Sequence, residues 1–239
     1  IYPVTALDKE ISVAKADGLD WLLGSDQQFS DMGVIWILKN INDRYCQDER
    51  LQNLWQSKKE GALAKDKYQE AYNKLLEPNY EFIYDEADLQ KNATGEFDEI
   101  FIPIIYCSDR GVQDANVKLL AELSDQGGYI SAHALLGAYW IKERGCYDEE
   151  IIDEIIVAKA NELIQAQNQD QEFSDLYAER VAFLIYAGFR QDIKPEWIKT
   201  ILEAQQNDGG WPTGIGEPAS YHATALAMWA LVQYTGSCR

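Results

Sequence analysis

Two apolar stretches, SAHALLGAYW at 131–140 and SYHATALAMW at 220–229, carry the pattern that decides the fold. Each begins with Ser, has His two residues later and ends on Trp. The apolar residues occur at nearly every position, which is typical of a helix that is buried on all sides. The two stretches therefore predict two equivalent buried helices in different copies of a repeat.

A second pair of similar segments supports the repeat. DQQFSDM at 26–32 matches DQEFSDL at 170–176 in five of the seven positions. Asp175 in the second copy lies 44 residues after Ser131 and 45 residues before Ser220. A constant spacing of this length indicates repeated supersecondary units.

Amphipathic segments alternate with the apolar ones. In 148–166, for example, Ile152 and Ile156 share one helix face and Asp153 lies on the opposite one. The alternation predicts an array of helical hairpins, each with one inner and one outer helix. The predicted inner helices are 31–43, 98–107, 131–143, 175–187 and 220–234, and the predicted outer helices are 5–23, 48–76, 111–123, 148–166 and 195–206.

The chain has no pattern typical of a sheet and no strong domain boundary. We therefore expect a single all-α domain over 1–239. The stretch 77–96 contains Pro78, Asn79 and Gly95, residues that favour turns. We expect it to be an irregular excursion from the helical array.

The segment 205–211, QQNDGGW, leads into the second apolar stretch and has a weaker copy, SDQGGY, at 124–129. Two glycines permit a tight turn with positive φ between closely packed hairpins. This pattern resembles the repeat of the terpenoid cyclases and of the protein prenyltransferase β subunits. The resemblance covers 111–239 well and the preceding part thinly, and it implies an α/α toroid of five to six helical hairpins.

The functional motifs of these families are incomplete in the chain. In the prenyltransferase β subunits, zinc is held by an Asp and a Cys two residues apart and by a His that follows a Tyr. Asp175 and His222 are at similar positions, but Tyr177 stands where the Cys would be. The acidic proton donor of the cyclases has no counterpart, because the acidic run 85–88 falls in the expected excursion. The resemblance therefore implies a fold and leaves the activity open.

Composition narrows the choice of partners. The chain has 239 residues, 46% of them hydrophobic, and a formal net charge of −19. A field of this sign repels nucleic acids and anionic lipid head groups. No apolar run is long enough to cross a bilayer. We expect neither nucleic acid nor a membrane as a partner. Cationic ligands, metal ions and neutral molecules such as glycans remain candidate ligands.

We expect export to a secreted or periplasmic location, because the chain starts with Ile1 and its four cysteines match no zinc spacing. All four cysteines follow predicted inner helices. In the closed ring that the resemblance implies, the first and last hairpins are neighbours, which would pair Cys46 with Cys238 and Cys107 with Cys146. The alternative is four unlinked thiols.

The inner helices of a toroid run parallel, so that their N-termini meet at one mouth of the ring. The candidate catalytic residues there are Asp31, Glu99, Asp175 and Tyr177. The candidate metal ligands, for zinc or another divalent ion, are His133, Asp175 and His222. The candidate ligand-binding aromatic residues are Trp211 and Tyr221. Helix capping for Asp31, Ser131, Asp175 and Ser220, and core packing for the histidines and aromatic residues, are the alternatives.

Three functions follow. The first is an exported protein that binds or acts on a carbohydrate or another small polar ligand at the mouth, with glycoside hydrolase or polysaccharide lyase activity as the enzyme classes. Two facing carboxylates would favour hydrolysis, and a His and Tyr pair would favour elimination. The second is a binding protein whose ring holds a metal ion such as zinc, or a small ligand, without turnover. The third is a divergent relative of the terpenoid cyclases or prenyltransferases.

Overall fold

The computed structural model describes residues 6–25, 31–62, 69–85 and 98–238, and these residues are largely helical. The α-helices are α1 (Ala6–Gly24), α2 (Met32–Ile41), α3 (Glu49–Ala62), α4 (Asn73–Leu76), α5 (Asp98–Ile105), α6 (Cys107–Arg110), α7 (Asp114–Glu122), α8 (Tyr129–Arg144), α9 (Glu149–Gln169), α10 (Asp175–Tyr186), α11 (Pro195–Glu203) and α12 (Tyr221–Thr235). A π-helical turn, Asn42–Cys46, follows α2, and short 3-10 turns cover Gln69–Tyr72 and Arg190–Asp192.

The expectation of an all-α chain is confirmed for the described residues, where the one isolated β-bridge joins Pro212 and Ala219. Within the predicted helix over 48–76, the described residues form α3 to Ala62 and the 3-10 turn Gln69–Tyr72 with α4, and residues 63–68 lie outside the described ranges. Residues 77–85 have no helix, as expected for the first part of the excursion, and its remainder lies outside the described residues, as do 26–30 of the repeated DQQFSDM segment. None of the helices in the described ranges combines the length and apolar character needed to cross a bilayer.

The chain divides into two compact units. One joins Ile1–Gly61 with Ala166–Arg239, and the other comprises Ala62–Gln165. We call them the terminal unit and the central unit. The terminal unit brings both ends of the chain together, as expected if the first and last hairpins are neighbours. The toroid and the single domain over 1–239 stay predictions.

Helix α12 is the core of the terminal unit and packs against α1, α2 and α10. Its apolar residues surround the helix, and Trp229 is completely buried. The Trp229 ring meets Trp36 of α2 edge to face at 5.2 Å between centroids, and its Nε1 donates to Asn40 Oδ1 at 3.1 Å. Because a buried indole N–H needs an acceptor, this bond helps to orient α12 against α2.

The predicted Gly-Gly turn holds α1 against the segment before α12. Gly209 has φ +95°, and a Cβ there would come within 2.6 Å of the Asp17 carbonyl oxygen. Gln205 Nε2 donates to the carbonyl oxygens of Ala14, at 2.9 Å, and Gly209, at 2.8 Å. The glycine is therefore needed both for the backbone conformation and for the close approach of α1.

The cysteines pair as the toroid hypothesis implied. Cys46 and Cys238 lie in the terminal unit with their Cα atoms 5.0 Å apart, and Cys107 and Cys146 lie in the central unit at 5.7 Å. Both separations are within the usual range for a disulfide. The first disulfide joins the turn after α2 to the residues after α12 and so links the first and last segments of the terminal unit.

The central unit is built on α5, α7 and α8, which pack against one another. The weaker Gly-Gly copy forms a hydrogen-bonded turn before α8. Ser131 Oγ donates to Asp125 Oδ1 at 2.8 Å and to Glu162 Oε1 at 2.6 Å, two acceptors that share its single proton. Burial, the largest single influence, acts to raise the pKa of Asp125, but hydrogen bonds from Ser131, Ile130 and Gly128 together lower it below the ordinary value.

Candidate functional site

Three helix N-termini of the terminal unit converge on a cluster formed by Asp31, Asp175 and His222. The two ring nitrogens of His222 face different carboxylates: Nδ1 lies 3.9 Å from Asp31 Oδ2, and Nε2 lies 4.0 Å from Asp175 Oδ2. The Asp31 side chain is 55% exposed and that of His222 is 40% exposed, so that a ligand can reach them. We call these three side chains the Asp–His–Asp cluster.

Capping explains why the cluster forms at these positions. Asp31 is the N-cap of α2, and its Oδ1 accepts from Gly33 N at 2.7 Å. Ser174 and Ser220 cap α10 and α12, which leaves Asp175 and His222 in the first turn of each helix. The capping alternative is correct for Asp31 and Ser220. The cap of α10 is Ser174, because its hydroxyl accepts from the Tyr177 backbone N–H at 3.1 Å.

Each carboxylate of the cluster uses one oxygen for its own helix and turns the other toward the imidazole. Asp31 Oδ1 binds the backbone of α2, and Asp175 Oδ1 accepts from Leu176 N at 2.8 Å. The Oδ2 atoms then lie beyond direct hydrogen-bond distance of the His222 ring. A hydroxyl oxygen about 2.8 Å from both atoms of a pair would stand about 2 Å to the side of the line that joins them, and from there it would bridge imidazole and carboxylate.

The same geometry argues against a single metal ion held by all three residues. A metal ion binds an imidazole through one nitrogen, and the two nitrogens of His222 face different carboxylates. Tyr177 replaces the Cys that the prenyltransferase resemblance requires. Within the described ranges, no three or more His, Cys, Asp or Glu side chains are grouped to hold a metal ion. These residues do not fit the zinc site that the resemblance implied.

Tyr177 does not join the cluster. Two residues along a helix correspond to about 200° of rotation, which turns Tyr177 away from the face that carries Asp175. Its ring is 1% exposed and lies 6.3 Å from that of Phe173. Burial raises the pKa of the phenol, against the effect of hydrogen bonds with Thr200 and Gln167. Tyr177 belongs to the packing between α10, α11 and the end of α9.

Trp211 and Tyr221, the expected ligand-binding aromatic residues, are buried. Trp211 has no exposed surface, and its Nε1 donates to the Ile201 carbonyl oxygen at 2.6 Å. Tyr221 is 4% exposed, and its hydroxyl lies 2.8 Å from the Leu22 carbonyl oxygen, to which it donates. Both residues therefore fit the alternative of core packing, because neither ring has an exposed face that a ligand could contact.

The remaining candidates belong to the central unit. Glu99 is exposed in the first turn of α5. His133 Nδ1 lies 2.9 Å from the Tyr129 carbonyl oxygen, and its ring packs beside Phe101 at 5.7 Å between centroids. These contacts agree with the packing alternative for His133, and the predicted role of His133 as a metal ligand gains no support from them.

Glu179 is a notable residue that the sequence patterns did not single out. It lies one turn after Asp175 on the same face of α10 and is 2% exposed. Burial raises the pKa of its carboxyl well above the ordinary value, the negative charge of Asp175 raises it further, and Arg180 acts in the opposite direction. The only sequence signal was its four-residue spacing from Asp175.

We expect the stability contribution of Glu179 to depend on pH. Its pKa is higher in the folded state than in the unfolded state, so folding is favoured below the unfolded value and this contribution is lost as pH rises toward the folded one. Glu179→Gln removes the charge at similar volume. Urea unfolding at pH 4 and pH 8 should show that the variant gains stability relative to wild type at the higher pH. Glu196→Gln, at an exposed position in α11, is the control and should show no such gain.

The fold and the cluster together define an all-helical protein with an imidazole between two carboxylates at helix N-termini. No family model matches the chain, and neither a curated protein nor a solved structure matches it. The candidate function therefore rests on the cluster itself.

Proposed function

We propose that the Asp–His–Asp cluster is an acid–base site for a hydroxylated ligand, with carbohydrate as the ligand class. The observation that carries this proposal is the position of His222, whose ring nitrogens lie 3.9 and 4.0 Å from two carboxylates. A neutral imidazole has one donor and one acceptor nitrogen. It is therefore suited to move a proton to or from a hydroxyl group bound beside either carboxylate.

Each residue has a defined role in this proposal. His222 transfers the proton, and Asp175, whose side chain is 17% exposed, binds the reacting hydroxyl from the more enclosed side. Asp31 faces the other ring nitrogen at 3.9 Å, where its negative charge acts on the positive charge that develops on the ring during proton transfer. All three side chains are positioned by capped helix ends, which limits their movement before a ligand binds.

Among carbohydrate reactions, hydrolysis fits this arrangement better than elimination. The elimination hypothesis required Tyr177 beside a histidine, and Tyr177 is packed on the opposite face of α10. Hydrolysis needs one group that protonates the leaving glycosidic oxygen and one that accepts a proton from the attacking water, and His222 with Asp175 supplies both. We therefore propose a glycoside hydrolase built on a toroid of helical hairpins. The two cysteine pairs at disulfide distance support an oxidising, exported location.

Release of new reducing ends from a panel of neutral and acidic oligosaccharides tests the proposal. His222→Ala and Asp175→Asn should each lower the rate on an accepted substrate by about 100-fold or more, because general acid–base groups contribute at least this much. Asp192→Asn changes an exposed carboxylate elsewhere in the terminal unit and should leave the rate unchanged.

Saturation-transfer NMR with the same panel separates binding from turnover. Binding without release of reducing ends, weakened by His222→Ala, would contradict hydrolysis and support a binding protein. An accepted substrate whose rate is the same in His222→Ala and wild type would contradict the acid–base role of the cluster.

A further inference from the structure

A surface cavity of about 530 Å³ lies in the terminal unit, where the end of α1 meets the segment between α11 and α12. Asp20 and Trp21 line it from α1, and Gln206, Asp208 and Ala219 line it from the other side. This volume is within the range of small-molecule sites. None of the Asp–His–Asp cluster residues is among those that line it.

The indole of Trp21 is held in one orientation at this cavity. Its Nε1 donates to Asp208 Oδ2 at 3.1 Å, and its ring is tilted by 59° against that of Tyr221 at 5.3 Å between centroids. A Cβ at Gly210 would come within 2.7 Å of Trp21 Cε2, so the glycine lets the indole pack directly on the turn. Trp21 is nevertheless only half-buried, unlike Trp211.

Two exposed carboxylates flank this indole. Asp208 accepts from Trp21 Nε1 and, through Oδ1, from Gly210 N at 3.1 Å, which leaves further acceptor positions on both oxygens. The Asp20 side chain is 75% exposed, and Arg50 Nη1 approaches it to 3.8 Å. Arg50 forms its closer ion pair with Asp48 at 2.9 Å. The negative charge of Asp20 is therefore only weakly compensated by Arg50.

We propose that this cavity binds an organic cation, namely a ligand with an ammonium or guanidinium group. The face of a fixed indole attracts such a group, and the carboxylates of Asp20 and Asp208 supply charge-assisted hydrogen bonds. The lining residues that the structure describes include neither Lys nor Arg. The net charge of −19 also raises the local concentration of cations near the surface.

An organic cation fits the lining better than an inorganic ion or a neutral sugar. An indole provides no ligand atom to a metal ion but contributes attraction to a soft, weakly hydrated cation. A neutral sugar could donate hydroxyl hydrogen bonds to the two carboxylates, but only an organic cation also compensates their charge and is attracted to the indole face. The proposal is independent of the glycoside hydrolase proposal.

The indole N–H signal of Trp21 in ¹⁵N-labelled protein provides the test, with Trp21→Phe assigning the signal. Choline and N-acetyl-arginine methylamide, titrated at constant ionic strength, should each shift this signal in a saturable way. Asp20→Asn, which leaves the Gly-Gly turn intact, should weaken binding about three-fold or more, and Asp20→Asn with Asp208→Asn about ten-fold or more. Asp192→Asn is the matched control and should bind as wild type does.

Three results would overturn the proposal. Methyl glucoside that shifts the signal as strongly as the cations would show that the site selects sugars. Shifts that do not saturate, or that potassium chloride reproduces, would show a general charge effect. The third result is equal affinity for the cations in wild type and in the double variant, while unchanged backbone amide signals show that the turn is intact. It would exclude a contribution of the two carboxylates to binding. His222→Ala should bind the cations as wild type does, because His222 does not line the cavity. A failure of the glycoside hydrolase proposal would therefore leave this proposal standing.

Discussion

Replacement of both Cys46 and Cys238 by Ser is expected to lower the free energy of unfolding by about 5 kcal/mol. The two residues are 192 positions apart in the chain, so their disulfide closes a very long loop and removes much of the entropy of the unfolded state. It also joins the first and last parts of the terminal unit. Urea unfolding of the non-reduced proteins, monitored by circular dichroism, measures the difference.

The matched control is the double replacement of Cys107 and Cys146 by Ser. This pair is separated by 39 positions, and the same entropy relation gives a loss of about 4 kcal/mol. The order of the two losses is the informative result. A larger loss from the shorter loop would contradict the entropic explanation, and no loss from the Cys46 and Cys238 variant would contradict the linkage between the chain ends.

Trp211→Ala is expected to lower the free energy of unfolding by about 3–5 kcal/mol, the usual cost of truncating a buried Trp. Trp211 has no exposed surface and lies against Gly18 of α1, where a Cβ would come within 2.7 Å of its ring. Its loss leaves a cavity between α1 and the segment before α12. It also leaves the Ile201 carbonyl oxygen without the indole donor.

Trp211→Phe separates these two contributions, because it keeps most of the ring volume and removes the N–H. We expect it to destabilise the protein less than Trp211→Ala does. Thermal unfolding and urea unfolding should rank wild type, Trp211→Phe and Trp211→Ala in that order. A loss below about 1 kcal/mol for Trp211→Ala would show that the core around α1 closes over the cavity.

Helix positions followed from local patterns, whereas the contact between the first and last hairpins was expected from the closed ring that the resemblance implies. The apolar stretches predicted α8, α10 and α12 to within a few residues, because the side-chain period of a helix determines which faces must be buried. The Gly-Gly turn predicted a close approach that Gly209 makes to Asp17. The cysteine pairs followed once the first and last hairpins were taken as neighbours.

The candidate site was only partly predictable. The repeat placed Asp31, Asp175 and His222 at equivalent helix starts, and the structure brings the three together. The same reasoning included Tyr177 and Trp211, which are buried elsewhere. Equivalent positions in the repeats indicate how far each residue lies from the N-terminus of its helix. They do not give the direction in which each side chain points.

The sequence by itself determined the helical class, the turns between helices and the set of residues at helix N-termini, because these depend on short-range periodicity and backbone conformation. Tertiary structure alone decided which carboxylate faces which ring nitrogen of His222, why Glu179 is buried and how Trp21 comes to lie beside Asp208. The last pair is 187 residues apart in the chain. Such contacts depend on the packing of whole helices against one another, which no local pattern encodes.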